Sequence, residues 1–281
     1  MRLAITGAGG YIGKHVAQKA YTLGHSVLKI SRTESSKDIV HKLDVLEASQ
    51  EDIVHRFLEI DACIHLAWQS GFNHQSSYHF ESVLKHYYFI EKLILSGVKN
   101  ITVAGTMHEI GYFIGEVNEY TTCNPINPYG IAKNFLRQSL LHLCRQNQVS
   151  LKWLRLFYIT GDDENNNSIF NKLLSAERNK EKTFPLNSGE MLFDFIHVED
   201  LADQIIQTAL QTTYTGVINC CSGTPVSLKT KVEQFILEKG LSIKPEYNKF
   251  PRREYDSYAI WGDASIIKTI MSSIPNRDIG K

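Results

Sequence analysis

A doubly wound, parallel α/β sheet is the fold this 281-residue chain predicts, and three features carry the prediction. The stretch AITGAGGYIGKHVAQKA, residues 4–20, reads as a short apolar strand, a glycine turn and an amphipathic helix. Apolar strand patterns then alternate with helical ones through the first half of the chain. The stretches 162–193 and 224–281 alternate little and hold no glycine turn of this kind, so they predict a smaller C-terminal α/β lobe. The expected division is 1–161 plus 194–223 for the sheet domain and 162–193 plus 224–281 for the lobe. A chain of this length can bury a full α/β core.

Taken in order, the first helix is expected over about 11–23, stopped by Gly24, and SVLKISR rises as the second strand. KLDVLE (42–47) reads as a short third strand and DACIHLAW (61–68) as a fourth. A helix over about 77–96 ends at Gly97, and NITVAG (100–105) is the fifth strand. NPINPYGIAKNFLRQSLLHLC breaks at Pro128 and continues as a long helix. Two more helices are expected over 168–178 and 227–239, with GVINCCS returning a strand to the parent sheet.

Thirty Lys plus Arg balance thirty Asp plus Glu, which gives no long-range field toward nucleic acid or an anionic membrane. The eleven histidines are scattered, without HExxH or similar metal spacing, so no metal is expected. The five cysteines form no CxxC pair and several lie in apolar runs, which suits reduced core residues. The first strand begins at residue 2, leaving no room for a signal peptide, and no apolar run approaches the ~20 residues of a membrane helix. The expectation is a cytoplasmic protein with no nucleic-acid or membrane partner.

The glycines Gly7, Gly10 and Gly13 follow G-x-x-G-x-x-G between a strand and a helix. A side chain there would hold the backbone away from a pyrophosphate, and the new helix, opening at Tyr11 and Ile12, presents N–H groups and a positive dipole end. The turn therefore points to a dinucleotide. At the end of the second strand an acid would bind the ribose hydroxyl of NAD, whereas a base accommodates the 2′-phosphate of NADP. This chain offers Ser31 and Arg32, with no acid before Glu34, which favours NADP(H) over NAD(H). Asp44, with Val45, could meet the adenine, or Asp44 could cap a helix beginning near Glu47. Leu66 and Ala67 join the cofactor set where the fourth strand runs into a small residue.

Thr106 lies just past the fifth strand, at the carboxyl edge where such sheets place their sites. Tyr129 and Lys133 are four apart on the long helix and share one face. A phenol is a poor acid–base group near neutral pH, and a nearby ammonium lowers its pKa. Alone, a Tyr/Lys pair at this spacing could be a plain surface contact.

With the glycine turn upstream and a hydroxyl at the fifth strand, the set resembles the extended short-chain dehydrogenase/reductases, the NAD-dependent epimerase/dehydratase family. ITGAGGYIG, HLAW, NPYGIAK, DFIHVEDLA (194–202) and NCCSG (219–223) stand in that family's order, so the resemblance spans most of the chain. It implies a Rossmann-like fold and a nucleotide-sugar substrate, with a homodimer formed through the helices around 77–97 and 129–147. It makes Tyr129 the proton donor and acceptor, with Lys133 tuning it and binding the nicotinamide ribose. Thr106 would orient the substrate oxygen, and Phe157 and Tyr158 would flank the nicotinamide and the substrate.

Departures from the pattern narrow the reaction. The acid pair that drives loss of water in the family's dehydratases is replaced by Met107 and His108, and a thioether transfers no proton. His108 could be a second acid–base group, or it could bind or pack against substrate. Tyr158 and Phe193 stand where an Asn and an Arg commonly reach the substrate diphosphate. Arg252 and Arg253 could supply that charge, or lie in solvent. GTMHEIGY, WLRLFY, SGEMLFDFIHV and YDSYAIWGD most resemble the branch that reduces 4-keto-6-deoxyhexoses on nucleoside diphosphates. The resemblance thus implies NADPH-dependent C4 ketoreduction giving an activated deoxysugar for surface polysaccharide, with an NAD-dependent 4-epimerase as the alternative.

Overall fold

The computed structural model describes residues 1–33, 40–161 and 168–273, so Glu34 and the Asp/Asn-rich loop at 162–167 lie outside the described residues. The first half alternates β1 (Arg2–Thr6), α1 (Tyr11–Thr22), β2 (Ser26–Ser31), β3 (His41–Lys42), α2 (Gln50–Arg56), β4 (Ala62–His65), α3 (Tyr78–Leu95) and β5 (Asn100–Ala104). A 3-10 turn at Met107–Glu109 leads to β6 (Gly115–Val117), α4 (Pro128–Gln146), β7 (Ser150–Leu156), β8 (Tyr158–Thr160) and α5 (Ile169–Arg178). Then follow β9 (Thr183–Pro185), β10 (Leu192–His197), α6 (Val198–Leu210) and β11 (Gly216–Cys220). The last elements are β12 (Pro225–Ser227), α7 (Leu228–Lys239), β13 (Lys244–Glu246), β14 (Ala259–Gly262) and α8 (Ser265–Ser272).

Seven strands form one parallel sheet in the order β11-β7-β5-β4-β1-β2-β3. The chain starts at β1, winds outward to β3, then returns to β4 on the other side of β1, which is the reversal expected of a doubly wound fold. Alternate side chains of each strand feed two cores. Leu3, Ile5, Ala62 and Ile64 pack with α1 and α6, whereas Ala4 and Cys63 pack with residues of α2, α3 and α4. GVINC takes the edge position beside β7, as the sequence predicts.

The third strand is shorter than 42–47 because Asp44 makes a turn. Its carboxylate accepts from Leu46 N–H, and its carbonyl accepts from Glu47 and Ala48 N–H, which competes with extension. The next helix starts at Gln50 rather than near Glu47, and Ser49 with Asp52 closes a capping box on it, so Asp44 is not its cap.

The short strands β6, β8, β10, β12 and β14 make a second, five-stranded sheet, and β9 pairs with β13. This sheet draws strands from both stretches into which the sequence divides, and one hydrophobic cluster runs from Leu3 and Ile5 through Val117 and Phe193 to Phe235 and Ile260. Asp194 fastens the junction. Its buried carboxylate accepts from Ser222 N–H (2.8 Å), Ser222 Oγ–H (2.7 Å), Gly223 N–H (2.9 Å) and Gly262 N–H (3.2 Å). Among the described residues, no helix is long and apolar enough to cross a membrane.

Candidate active site

Six loops meet at the carboxyl edge of the large sheet, and each carries residues singled out from sequence. After β1, Gly7 takes φ +71°, and a Cβ on it would lie 2.7 Å from Ala67 N. A Cβ on Gly13 would lie 2.1 Å from Gly7 O, so Gly7 lets the turn lie against the loop after β4 and Gly13 lets α1 pack onto the turn. Gly10 differs: it is the N-cap of α1, no side chain caps the helix, and a Cβ there would meet Gly7 O alone, at 3.2 Å. The first turn, with Tyr11 and Ile12, thus starts without a side-chain cap, which suits backbone N–H groups to a pyrophosphate.

Ser31 closes β2 with its Oγ facing Gly9, whose Cβ would lie 3.2 Å away, so Gly9 keeps the path past Ser31 clear. Arg32 donates to Gln69 Oε1 at 2.7 Å, a neutral partner. Asp44 and Val45 follow β3, with Val45 buried in the core, and Leu66 and Ala67 follow β4. Phe157 follows β7 and is buried beside Gly262.

Thr106 caps the 3-10 turn after β5, its Oγ1 accepting from His108 N–H at 3.2 Å. Its hydroxyl approaches the Tyr129 phenol closely enough to oppose the rise that burial causes in the phenol's pKa. This approach requires Gly130, since a Cβ there would lie 2.3 Å from His108 O. Asn127 caps α4 by accepting from Gly130 N–H, and Pro128 opens the helix, which fixes where Tyr129 stands. Lys133, one turn on, is buried, donates to Ala104 O at 2.7 Å and sits 3.7 Å from the centre of the Trp68 ring.

The expected lowering of the Tyr129 pKa by Lys133 is not what this arrangement gives. The ammonium is 6.0 Å from the phenol ring centre, and burial dominates, pushing Tyr129 up to about 12 against the opposing effect of the Thr106 hydroxyl. Burial also brings Lys133 down to about 7, with Glu109 opposing it.

Around Tyr129 the structure gathers side chains that the sequence reading did not single out. His74 stacks on the phenol ring (5.1 Å, 9°), and its carbonyl accepts from Tyr129 N–H at 3.1 Å. His108, expected near the substrate, lies 4.1 Å from His74 and 6.1 Å from Tyr129, ring centre to ring centre. Burial lowers His74 to about 4 and His108 well below its usual range, so both imidazoles are neutral at pH 7. Trp68 donates to His79 Nδ1 at 3.2 Å, which puts the His79 proton on Nε2, toward Asn73 O. Behind Trp68, His86 stacks on the indole and bonds His65 at 2.9 Å, and His65 meets Thr6 Oγ1 at 2.7 Å. No motif spacing announces these contacts, because loop 69–77 and α3 reach Tyr129 only in three dimensions.

On the opposite side, Tyr158 packs on Phe193 at 4.2 Å, so the two departures from the family pattern touch each other. Arg253 lies among Tyr255, His74, His108, Tyr158 and Asp256. Arg252 is engaged elsewhere: it donates to the carbonyls of Arg253, Glu254 and Asp256 and stacks on Tyr258 at 4.3 Å. The structure brings one of the two arginines to the site.

Comparison with known proteins bears on this geometry. The profile of the NAD dependent epimerase/dehydratase family matches residues 3–221. The chain is 49% identical, over 93% of its length and 99% of the relative's, to dTDP-6-deoxy-L-talose 4-dehydrogenase (NAD(+)) of Aggregatibacter actinomycetemcomitans. It is 26% identical, over 95% of its length and 90% of the relative's, to UDP-glucose 4-epimerase of Bacillus subtilis. The structure of UDP-glucuronic acid 4-epimerase from Bacillus cereus, in complex with UDP-glucuronic acid and NAD, shares the fold: TM-score 0.81, 20% identity, 98% of this chain and 94% of that one covered.

Proposed function

The chain belongs to the NAD-dependent epimerase/dehydratase family, and from that premise we propose that it is a cytoplasmic ketoreductase acting at C4 of a nucleoside-diphosphate 4-keto-6-deoxyhexose, with NADP(H). The observation that carries the reading is the convergence of Thr106, Tyr129 and Lys133 at one sheet edge, Lys133 standing one helical turn along from Tyr129 and bonded to Ala104 O at the end of β5. The name of the 49% identical relative, a 4-dehydrogenase of a deoxyhexose nucleotide, supports the position and the substrate class. Such a reduction supplies an activated deoxysugar of the kind surface polysaccharides consume.

Gly7, Gly10 and Gly13 with the first turn of α1 would hold the pyrophosphate, Ser31 and Arg32 the 2′-phosphate, and Lys133 the nicotinamide ribose. When bound, the reduced nicotinamide supplies hydride. Tyr129 then gives its phenolic proton to the substrate oxygen. A phenol held near pKa 12 keeps that proton until negative charge develops on the oxygen beside it. Thr106 hydrogen-bonds the same oxygen and fixes its distance from Tyr129. His74 and His108, both neutral, would take hydrogen bonds from sugar hydroxyls, and Arg253 beside them would meet the diphosphate. Met107 and His108 stand in place of the acid pair of the family's dehydratases, so the site reduces a 4-keto-6-deoxy sugar and does not form one.

The experiment is NADPH oxidation on adding a dTDP-4-keto-6-deoxyhexose, with Tyr129→Phe alongside. Loss of the phenol proton is expected to lower kcat by roughly 10²–10⁴-fold with the fold retained. Full turnover by that variant overturns the mechanism. The 4-epimerase reading is favoured by the Bacillus subtilis relative's name, and it expects NAD(H) to stay bound through purification.

The protomers are proposed to pair through α3 and α4, which pack together and expose Leu84, Tyr88, Ile131 and Phe135. Light scattering should give a dimer for the wild type and a monomer for Phe135→Glu. A wild-type monomer removes the proposal.

A further inference from the structure

We propose that Glu109 is a positioning residue of this active site, setting the register between the turn that carries Thr106 and the helix that carries Tyr129 and Lys133. The inference rests on the ketoreductase reading for its reaction, while its geometry is independent of the substrate.

Glu109 is fully buried and joins three elements. Its Oε1 accepts from Thr106 N–H at 3.3 Å, within the turn itself. Its Oε2 lies 2.9 Å from Arg137 Nε on α4, and Oε1 lies 3.5 Å from Arg155 Nε on β7. Trp153 Nε1–H, also on β7, donates across both oxygens at 3.0 and 3.2 Å. That indole reaches Glu109 because residue 105 is glycine: a Cβ there would lie 2.2 Å from Trp153 Nε1.

Arg137 is the link to the chemistry. Tyr129, Lys133 and Arg137 are spaced four apart on α4 and form one stripe of that helix. Holding Arg137 against Glu109 therefore fixes both the rotation and the axial position of α4 against β5. The guanidinium has little freedom to choose otherwise, because its Nη2 also donates to Asn134 Oδ1 at 2.8 Å. Arg155 is held as firmly, through Asn118 O at 2.9 Å and Asn219 Oδ1 at 3.4 Å. The carboxylate is thus a fixed anion between two fixed cations, below the Thr106–Tyr129 pair.

Its charge reaches the reacting groups as well. The anion favours the ammonium of Lys133 and disfavours the phenolate of Tyr129. Other charged or titratable groups act on the same pair: Lys133 lies by Trp68 and Ala104 O, while His74, His79 and His108 face Tyr129 from loop 69–77, α3 and the Thr106 turn. The histidines are held neutral at pH 7 by burial, and among the described residues Glu109 is the negative charge that acts on both reacting groups.

The test compares Glu109→Gln, Glu109→Asp and Arg137→Gln with the wild type. In Glu109→Gln the lost anion lowers the pKa of both Lys133 and Tyr129, so the basic limb of the kcat–pH profile should move to lower pH. A misplaced phenol should also cost about tenfold or more in kcat with KM little changed. Arg137→Gln should move the limb the opposite way, and Glu109→Asp should keep it in place while lowering kcat. Unmoved profiles in both charge variants, whatever their melting temperatures, overturn the proposal.

If the wild type turns over no 4-keto sugar, the functional reading fails separately. The positioning role is then read from reduced-dinucleotide binding, whose weakening with rising pH should begin at lower pH in Glu109→Gln. Should that variant not fold, Arg137→Gln alone decides: an unshifted limb in it overturns the role.

Discussion

Arg32 stands at the end of β2 with the neutral amide of Gln69 as its hydrogen-bonding partner. A dinucleotide with a 2′-phosphate could take up that charge, and a hydrogen bond to a charged group contributes about 1.5–3 kcal/mol. Arg32→Ala should therefore lower kcat/KM for NADPH by about tenfold or more and leave NADH nearly unchanged. Equal loss with both would assign Arg32 to general binding, and a wild-type preference for NADH would bring the cofactor into line with the name of the 49% identical relative. At this scale the sequence made Thr106, Tyr129 and Lys133 legible, since a four-residue spacing on a helix is a statement about a shared face. His74, Trp68 and Glu109 were not legible. Their roles come from a ring stack, a cation lodged on an indole and a buried ion pair, all formed between elements distant in sequence.

The strand–turn–helix elements carry the fold's clearest signals, and the second sheet carries its weakest. Gly7, Gly10 and Gly13, and the Asn127–Pro128 start of α4, are local devices whose chemistry can be read off neighbouring residues. The strands β6, β8, β12 and β14 are three or four residues long, too short for alternation to show. What holds them is a long-range knot at Asp194, where one carboxylate receives three backbone N–H groups and a hydroxyl. Asp194→Ala leaves those donors buried without their acceptor and should destabilise the protein by about 3 kcal/mol or more. Denaturant unfolding measures this, and a change below about 0.5 kcal/mol would mean that the turn at Ser222 satisfies itself.

For the molecule as a whole, buried neutral histidines predict a one-sided pH response. Burial lowers His65 to about 3 and His74 to about 4, and holds His86 and His108 well below their usual value. As pH falls through 6.5 the unfolded chain takes up protons that the folded one refuses. Stability is therefore full above that pH and is lost below it, by about 1.4 kcal/mol per pH unit for each histidine kept neutral. Urea midpoints should fall steeply between about pH 7 and pH 5, and a flat profile there would show that these rings charge without unfolding. The doubly wound architecture was legible at this scale because alternation repeats over half the chain, whereas the merging of both sheets into one core was not. That merging constrains how such a protein can change its substrate over generations. The chain enters the second sheet at β6, again at β8 and β10, and again at β12 and β14. That sheet is therefore not one contiguous segment that can be exchanged as a cassette, and a change at Tyr158 or Phe193 has to be accommodated by strands from three separate parts of the chain.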